Sequence, residues 1–343
     1  MDTPRRSQKS RAVTPEVTAT PNNTEQSRML GRDAERSRYL TGDTSRSEGS
    51  AVERKKERRS GLAEVMMLFF YLICVAIVAV VINFAVPVHK RGFSCSDAEI
   101  MKPNLGEQTV PSWASLLTGL LIVMFSVLAT DIINFCLDKP PDSDKKSEEQ
   151  KKHEKKMMLY FMLKNLIVGA CVYATTMLMV GIGKVVVGEL RPDFLEVCFG
   201  GQKGYLDFCR EQLNKMNVSD VSGVPLYIPV EGDKDVCTTA DKKEVEDERK
   251  SFPSGHTASV CAPAMFALIY INLELRNTFV RVMSFMWQFF VIAVTLWISV
   301  SRIGDNKHHM RDVATSALLS LGVAIIFYLF LRFHNTSRPS KLN

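Results

Sequence analysis

The sequence predicts an all-α integral membrane protein, a six-span transmembrane helical bundle with both chain termini in the cytosol. Six stretches are apolar over roughly 17 to 25 residues, the length that crosses a bilayer as a helix. Lys and Arg crowd before the first stretch, between the second and third, and after the sixth, and this excess marks cytosolic segments. The predicted spans are residues 62–86, 114–137, 165–183, 257–273, 283–300 and 313–331.

The segment before the first span is polar and basic. Residues 1–60 hold 14 Lys plus Arg against 9 Asp plus Glu, and Tyr39 is their only aromatic residue. Such a composition buries too little apolar surface to fold, so residues 1–60 are predicted to be a disordered cytosolic tail. Its densest basic cluster, residues 54–59, directly precedes a span, which favours a membrane-flanking role over a nucleic-acid partner. The predicted six-span domain is 61–332, followed by a short cytosolic tail at 333–343.

Three loops fall on the opposite side of the membrane in this topology: residues 89–113, 184–256 and 301–312. A lumenal or extracellular compartment is oxidising, so cysteines there are disulfide candidates, with three full pairings open. The sequon at Asn217 also lies on that side and is a predicted glycosylation site, whereas those at Asn22 and Asn335 lie in the cytosol. The four candidate cysteines are Cys95, Cys198, Cys209 and Cys237.

The first group of chemically suggestive residues follows the third span. Lys184 and Arg191 are seven residues apart, so they share a face if the helix continues beyond the membrane. Pro192 disfavours helical geometry in the residue before it, so we expect that helix to end at Arg191. Both cations are suited to gripping a phosphate.

The second group precedes the fourth span and reads Pro-Ser-Gly-His, residues 253–256. A helix beginning there directs unpaired amides and the positive end of its dipole at an anion. Ser254 and Gly255 are therefore predicted phosphate ligands, because Gly also permits close approach of the backbone. His256 stands where it can protonate a leaving oxygen.

The third group follows the fifth span. His308 and Asp312 are four residues apart, so we expect them on one face of the helix that enters the sixth span. The carboxylate would orient one ring nitrogen and leave the other to attack as a nucleophile. Arg302 adds a planar donor fork for phosphate oxygens.

Each group alone is a weak pattern, but all three fall at span ends on one side of the membrane. Together they predict a phosphate-handling active site at the lumenal or extracellular ends of the spans. No cysteine or carboxylate cluster indicates a metal site, and we expect no cofactor. The charged run at residues 244–248 is interpreted as a solvated loop.

The three groups, KVVVGELRP at 184–192, PSGH at 253–256 and SRIGDNKHHMRD at 301–312, resemble the signature of the type 2 phosphatidic acid phosphatases, also called lipid phosphate phosphatases. These belong to a wider superfamily of acid phosphatases and vanadium haloperoxidases. The resemblance implies a metal-independent site with a phosphohistidine at His308, an acid at His256 and Asp312 orienting the nucleophile. It also implies that Lys184, Arg191, Ser254, Gly255, His256 and Arg302 surround the phosphate.

Substrates implied by the resemblance are phosphatidate, lysophosphatidate, ceramide 1-phosphate and sphingosine 1-phosphate, and the choice among them stays open, as does homo-oligomerisation. We expect residence at the plasma membrane, and an internal membrane stays an open alternative. The alternatives are a noncatalytic scaffold related to the family and a sphingolipid headgroup transferase. A transporter would instead draw on intramembrane polar residues such as Asp131 and Asn134.

Overall fold

The computed structural model describes residues 62–138, 147–215, 227–229, 236–239 and 241–335. The predicted tail at 1–60, the sequons at Asn22 and Asn217, and residues 336–343 lie outside the described residues. The prediction of a six-span helical bundle is confirmed, because six helices among the described residues are long and apolar enough to cross a membrane. They are α1 Leu62–Ala85, α2 Ser112–Leu137, α3 Glu148–Val187, α7 Gly255–Glu274, α9 Phe285–Gly304 and α10 Met310–Asn335.

Several helices extend beyond the apolar stretches that predict them. Helix α3 begins far ahead of its apolar part with a capping box, in which Ser147 and Gln150 exchange side-chain and backbone hydrogen bonds. Residues 148–164, which precede the apolar part of the third span, therefore form one continuous helix with it. Helix α7 runs without a break through Pro263, and the short α8, Thr278–Met283, leads into α9.

Helix α7 is the centre of the bundle and packs against α2, α3, α9 and α10. A Cβ added at Gly119 of α2 would lie 2.3 Å from the Ser259 carbonyl oxygen, so only glycine allows α2 and α7 to approach this closely. The core around α7 includes Val127, Val168 and Phe266, each fully buried. Large apolar side chains on α1 and α9 remain exposed, as expected for surfaces that face lipid.

The intramembrane polar residues form hydrogen bonds between helices. The Tyr270 hydroxyl donates to Asp131 Oδ1 at 2.6 Å, and Asn165 Nδ2 donates to Asp131 Oδ2 at 2.9 Å. Asn134 Nδ2 donates to the Glu274 carbonyl at 2.9 Å. These contacts give Asp131 and Asn134 structural partners and remove the observation that favoured a transporter.

A small extramembrane layer covers the end of the bundle where α3 ends and α7 begins. It contains β1 Phe93–Ser94 antiparallel to β2 Tyr227–Ile228, a 3₁₀ turn at Ala98–Ile100, and helices α4 Phe194–Phe199, α5 Gln202–Lys215 and α6 Lys242–Glu248. Phe93, Phe194 and Phe199 centre its own apolar core. The four candidate cysteines pair here as Cys95 with Cys209 and Cys198 with Cys237.

Candidate active site

The first motif leaves its helix earlier than the sequence predicts. Lys184 lies in the last turn of α3, but the helix ends at Val187 because Gly188 adopts a left-handed conformation with φ of 59°. A Cβ at Gly188 would also lie 1.8 Å from the His89 carbonyl oxygen. The expectation that the helix continues to Arg191 is therefore wrong, and Arg191 reaches the site from a loop.

Arg191 is anchored from behind by a carboxylate at the end of α6. Its Nη1 lies 3.2 Å from Glu248 Oε1, and its backbone amide donates to the Glu248 carbonyl at 2.9 Å. Glu248 is only 2 % exposed, so the interpretation of residues 244–248 as a solvated loop is wrong for this residue. Burial raises the pKa of Glu248 to about 7, which Arg191 opposes.

The second motif begins α7. Ser254 is the N-cap, and its hydroxyl accepts from the Thr257 backbone amide at 3.4 Å and from the Thr257 hydroxyl at 3.1 Å. The buried Ser254 side chain therefore caps the N-terminus of α7. Gly255 leaves the helix N-terminus open, with Lys184 Nζ 3.6 Å from where a Cβ would stand. His256 Nε2 lies 3.3 Å from the Ser112 hydroxyl at the start of α2.

The third motif forms a tight turn between α9 and α10. The backbone amides of Lys307 and His308 both donate to the Arg302 carbonyl, at 3.1 and 3.2 Å. The Arg302 side chain is 1 % exposed and donates from Nη1 to Asp305 Oδ2 at 3.0 Å. Thr109 fixes Asp305 in turn, since its amide donates to Oδ2 at 3.0 Å. Asp305 and Thr109 thus hold the Arg302 guanidinium in place where it lines the pocket.

His308 precedes α10 instead of lying on it, which corrects the expectation that it shares a helical face with Asp312. Its Nδ1 lies 2.7 Å from the Ser251 backbone carbonyl, an oxygen that only accepts, so Nδ1 carries the proton and Nε2 holds the lone pair. Burial lowers the pKa of His308 to about 3, and nearby Arg191 and Lys184 lower it further, whereas Asp312 opposes the shift. The imidazole is neutral at physiological pH.

Asp312 lies beside this imidazole, with Oδ2 3.6 Å from His308 Nδ1, a distance too long for a hydrogen bond. The same oxygen accepts from the Ser251 hydroxyl at 2.6 Å and from the His309 backbone amide at 2.9 Å. Asp312 therefore acts on His308 through proximity of charge, while Ser251 supplies the direct hydrogen bond to the ring.

A pocket of about 440 Å³ unites the three motifs. Of the predicted catalytic and phosphate-binding residues, Ser254 and Asp312 do not line it, and both are fully buried. Leu116, Tyr173 and Met177, on the membrane-spanning helices α2 and α3, also line the pocket. The predicted residues that line the pocket are Lys184, Arg191, Gly255, His256, Arg302 and His308.

Residues that support this pocket had no distinguishing mark in the sequence. Ser251 and Glu248 stand a few residues before the second motif, and Asp193 directly follows Pro192, yet each belongs to a charged or polar stretch typical of a loop. Lys307 lies inside the third motif next to His308. Within the part of the chain that the structure describes, no cluster of three His, Cys, Asp or Glu side chains suited to a metal is present.

Comparison with known proteins places these motifs in a family. Residues 165–336 match the profile described as the PAP2 superfamily, which is half of the chain. The chain belongs to the PAP2 superfamily. The matched segment includes Lys184, His256 and His308, one residue from each of the three motifs.

Known relatives of this PAP2 superfamily member include phospholipid phosphatases. The chain is 28% identical over 150 residues to phospholipid phosphatase 1 of Mus musculus (44% of this chain, 46% of the relative) and 30% identical over 161 residues to that of Rattus norvegicus (47% and 50%). It is 25% identical over 253 residues to phospholipid phosphatase 2 of Rattus norvegicus (74% and 80%). The chain spans about half the length of the first two relatives. No solved structure matches it.

Proposed function

We propose that this chain is a phosphatase that hydrolyses lipid phosphate monoesters through a phosphohistidine at His308, without a metal. The observation that carries the proposal is the single pocket into which both histidines and the three cations Lys184, Arg191 and Arg302 converge. Phosphoryl transfer depends chiefly on in-line positioning and charge neutralisation, and these side chains with the amides at the start of α7 provide both.

The first chemical step is attack by His308 Nε2 on phosphorus. Burial, with Arg302 and Lys184, lowers the pKa of His256 to about 4, so in this proposal the imidazole takes up its proton as the phosphate anion binds. The N–P bond then forms as the bond between phosphorus and the lipid oxygen breaks, and His256 gives that proton to the oxygen, so the lipid alcohol leaves neutral. Asp312 balances the positive charge that develops on the imidazole. Water then attacks phosphorus, His256 takes a proton from it, and the N–P bond breaks to give inorganic phosphate and neutral His308.

The substrate class follows from the walls of the pocket. The lining combines cationic side chains with Leu116, Tyr173 and Met177, which belong to helices long and apolar enough to cross the membrane. A phosphate monoester on a lipid chain satisfies both kinds of side chain. Phosphatidate, lysophosphatidate, ceramide 1-phosphate and sphingosine 1-phosphate are the proposed substrates, and the names of the phospholipid phosphatase relatives support the class.

The catalytic face is proposed to be extracellular or lumenal, at the plasma membrane, with both termini in the cytosol. Both disulfides belong to the layer at the site end of the bundle, and disulfides persist in oxidising compartments. The sequon at Asn217 falls in the same loop as Cys209 and stays a prediction.

The test compares His308→Ala and His256→Ala on a lipid phosphate and on an aryl phosphate whose leaving group departs without a proton. We expect wild-type protein to release inorganic phosphate from the lipid. His308→Ala should lose activity on both substrates, because the attacking nitrogen is gone. His256→Ala should lose roughly 10²- to 10⁴-fold on the lipid phosphate and recover much of it on the aryl phosphate.

His89→Ala is the matched control, since His89 is exposed and does not line the pocket. A denaturing quench of the wild type at alkaline pH should trap phosphohistidine, recognised because its phosphate is lost on later treatment with acid, and His308→Ala should lack it. Absence of phosphate release by the wild type from every lipid phosphate would contradict the proposed function. Rescue of His308→Ala, and not of His256→Ala, by the aryl phosphate would reverse the two roles.

A further inference from the structure

Behind Arg191, three more charged side chains are buried together. Asp193 is fully buried, Glu248 is 2 % exposed and Lys307 is 8 % exposed. Lys307 Nζ lies 2.5 Å from Asp193 Oδ2 and 3.4 Å from Glu248 Oε1, the same oxygen that Arg191 Nη1 approaches at 3.2 Å. We call Asp193, Glu248 and Lys307 the buried triad.

The buried triad joins the three segments that carry the motifs. Asp193 follows Arg191 by two residues, Glu248 stands shortly before the second motif, and Lys307 directly precedes His308. The Lys307 amide and the His308 amide share the Arg302 carbonyl, so the backbone at Lys307 and the backbone at His308 move together. Anchoring the Lys307 ammonium therefore anchors the nucleophile.

The charges of the buried triad also govern Arg191. Glu248 shares one oxygen between Lys307 and Arg191, and Arg191 must keep donors available for a phosphate. Without Lys307, Arg191 would be the one cation left in this cluster to balance the carboxylates of Asp193 and Glu248. Their attraction would then draw the Arg191 guanidinium away from the pocket. Burial and Asp193 raise the pKa of Glu248, while Arg191 and Lys307 lower it.

We infer that Lys307 is a positioning residue: through Asp193 and Glu248 it fixes the loop that carries His308 and keeps Arg191 directed at the phosphate. This inference rests on the proposed function. It assigns Lys307 two separable effects, one on phosphate binding through the charge balance around Arg191 and one on turnover through the geometry of His308.

The test measures kcat, KM for a lipid phosphate and the inhibition constant of vanadate for three variants. For Lys307→Met we expect KM and the vanadate constant to rise by roughly tenfold, the effect of losing one charged hydrogen bond. Its kcat should fall by up to about 100-fold because the nucleophile is misplaced. Lys307→Arg keeps the charge and should stay within about threefold of wild type in KM.

The double variant Lys307→Met/Asp193→Asn removes one charge of each sign. It should restore KM and the vanadate constant to within about threefold of wild type, because Arg191 again faces one carboxylate in the cluster, while kcat stays at least about tenfold low. Lys203→Met is the control, an exposed lysine on α5 away from the pocket. It should match the wild type throughout.

Three results separate the outcomes. Lys307→Met with wild-type KM and vanadate inhibition would overturn the inference, since a purely structural lysine changes only the amount of folded enzyme. A double variant with wild-type kcat would also overturn it, and this result decides the matter if Lys307→Met alone does not fold. A wild-type protein that releases no phosphate would instead refute the proposed function.

Discussion

Ser251→Ala tests whether the hydrogen bond from the Ser251 hydroxyl to the Asp312 carboxylate contributes to catalysis, although Ser251 does not line the pocket. The Ser251 hydroxyl donates to Asp312 Oδ2 at 2.6 Å, and both residues are fully buried. The substitution removes this donor but keeps the Ser251 carbonyl that holds His308 Nδ1. The carboxylate loses its shortest hydrogen bond and retains the His309 amide at 2.9 Å.

The magnitude follows from that one bond. A hydrogen bond to a buried charged group contributes about 1.5 to 3 kcal/mol, which corresponds to roughly 10- to 150-fold in rate if it acts fully in the transition state. We expect the loss in kcat, because Asp312 balances a charge that His308 acquires only during attack. KM should change by less than about threefold, since Ser251 does not line the pocket.

The assay is phosphate release from a lipid phosphate in detergent micelles, with the amount of folded enzyme measured in parallel. Ser316→Ala is the matched control: Ser316 is equally buried, and its hydroxyl donates to the backbone carbonyl of Asp312 at 2.8 Å, not to the carboxylate. Ser316→Ala should keep wild-type turnover. Equal losses in the two variants, or an unchanged kcat in Ser251→Ala, would refute this account of Asp312.

Two further predictions concern metals and acid. Hydrolysis should persist in excess chelator and be inhibited by vanadate, which can occupy the cationic pocket as a trigonal bipyramid; abolition by chelator with rescue by magnesium would contradict this. The lowered pKa of His308, about 3, means that between pH 6.5 and 3 the unfolded chain takes up a proton that the folded protein excludes. The stability that depends on this group is therefore highest well above pH 6.5 and decreases as the pH is lowered, by about 2 kcal/mol between pH 6.5 and 4.5. His308→Gln should lose less stability over that range in detergent unfolding titrations, and equal slopes would disprove the assignment.

The spans and motifs were predictable because each depends on local composition. An apolar stretch of about 20 residues has few structural outcomes other than a membrane helix, and Ser254 at the start of α7 is a typical N-cap. The end of α3 was mispredicted because Pro192 is the more conspicuous breaker. Gly188 ends the helix earlier, where the close approach of the His89 carbonyl requires a residue without a side chain.

The supporting residues were not predictable because their partners are distant in sequence. His308 bonds to a backbone carbonyl 57 positions away, and any residue type at position 251 supplies a carbonyl. Glu248 lies in a charged run that favours a solvated loop, whereas in the fold it is buried and paired with Arg191 and Lys307, which are distant in sequence. The cysteine pairing had the same limit: topology indicated the four candidates, while the fold determined which pairs came within bonding distance.

Charge balance explains why so many cations can be buried around one small pocket. A buried charge without a counterion is very unfavourable, so a site built only from cations would destabilise the protein in the absence of substrate. Here Arg191 and Arg302 each have a carboxylate behind them, at 3.2 and 3.0 Å. The carboxylates hold the guanidinium groups in place before substrate arrives and temper their attraction for the product, which must leave as inorganic phosphate after every turnover. The cations around the pocket include Lys184, Arg191, Arg302 and Lys307, and the carboxylates include Asp193, Glu248, Asp305 and Asp312.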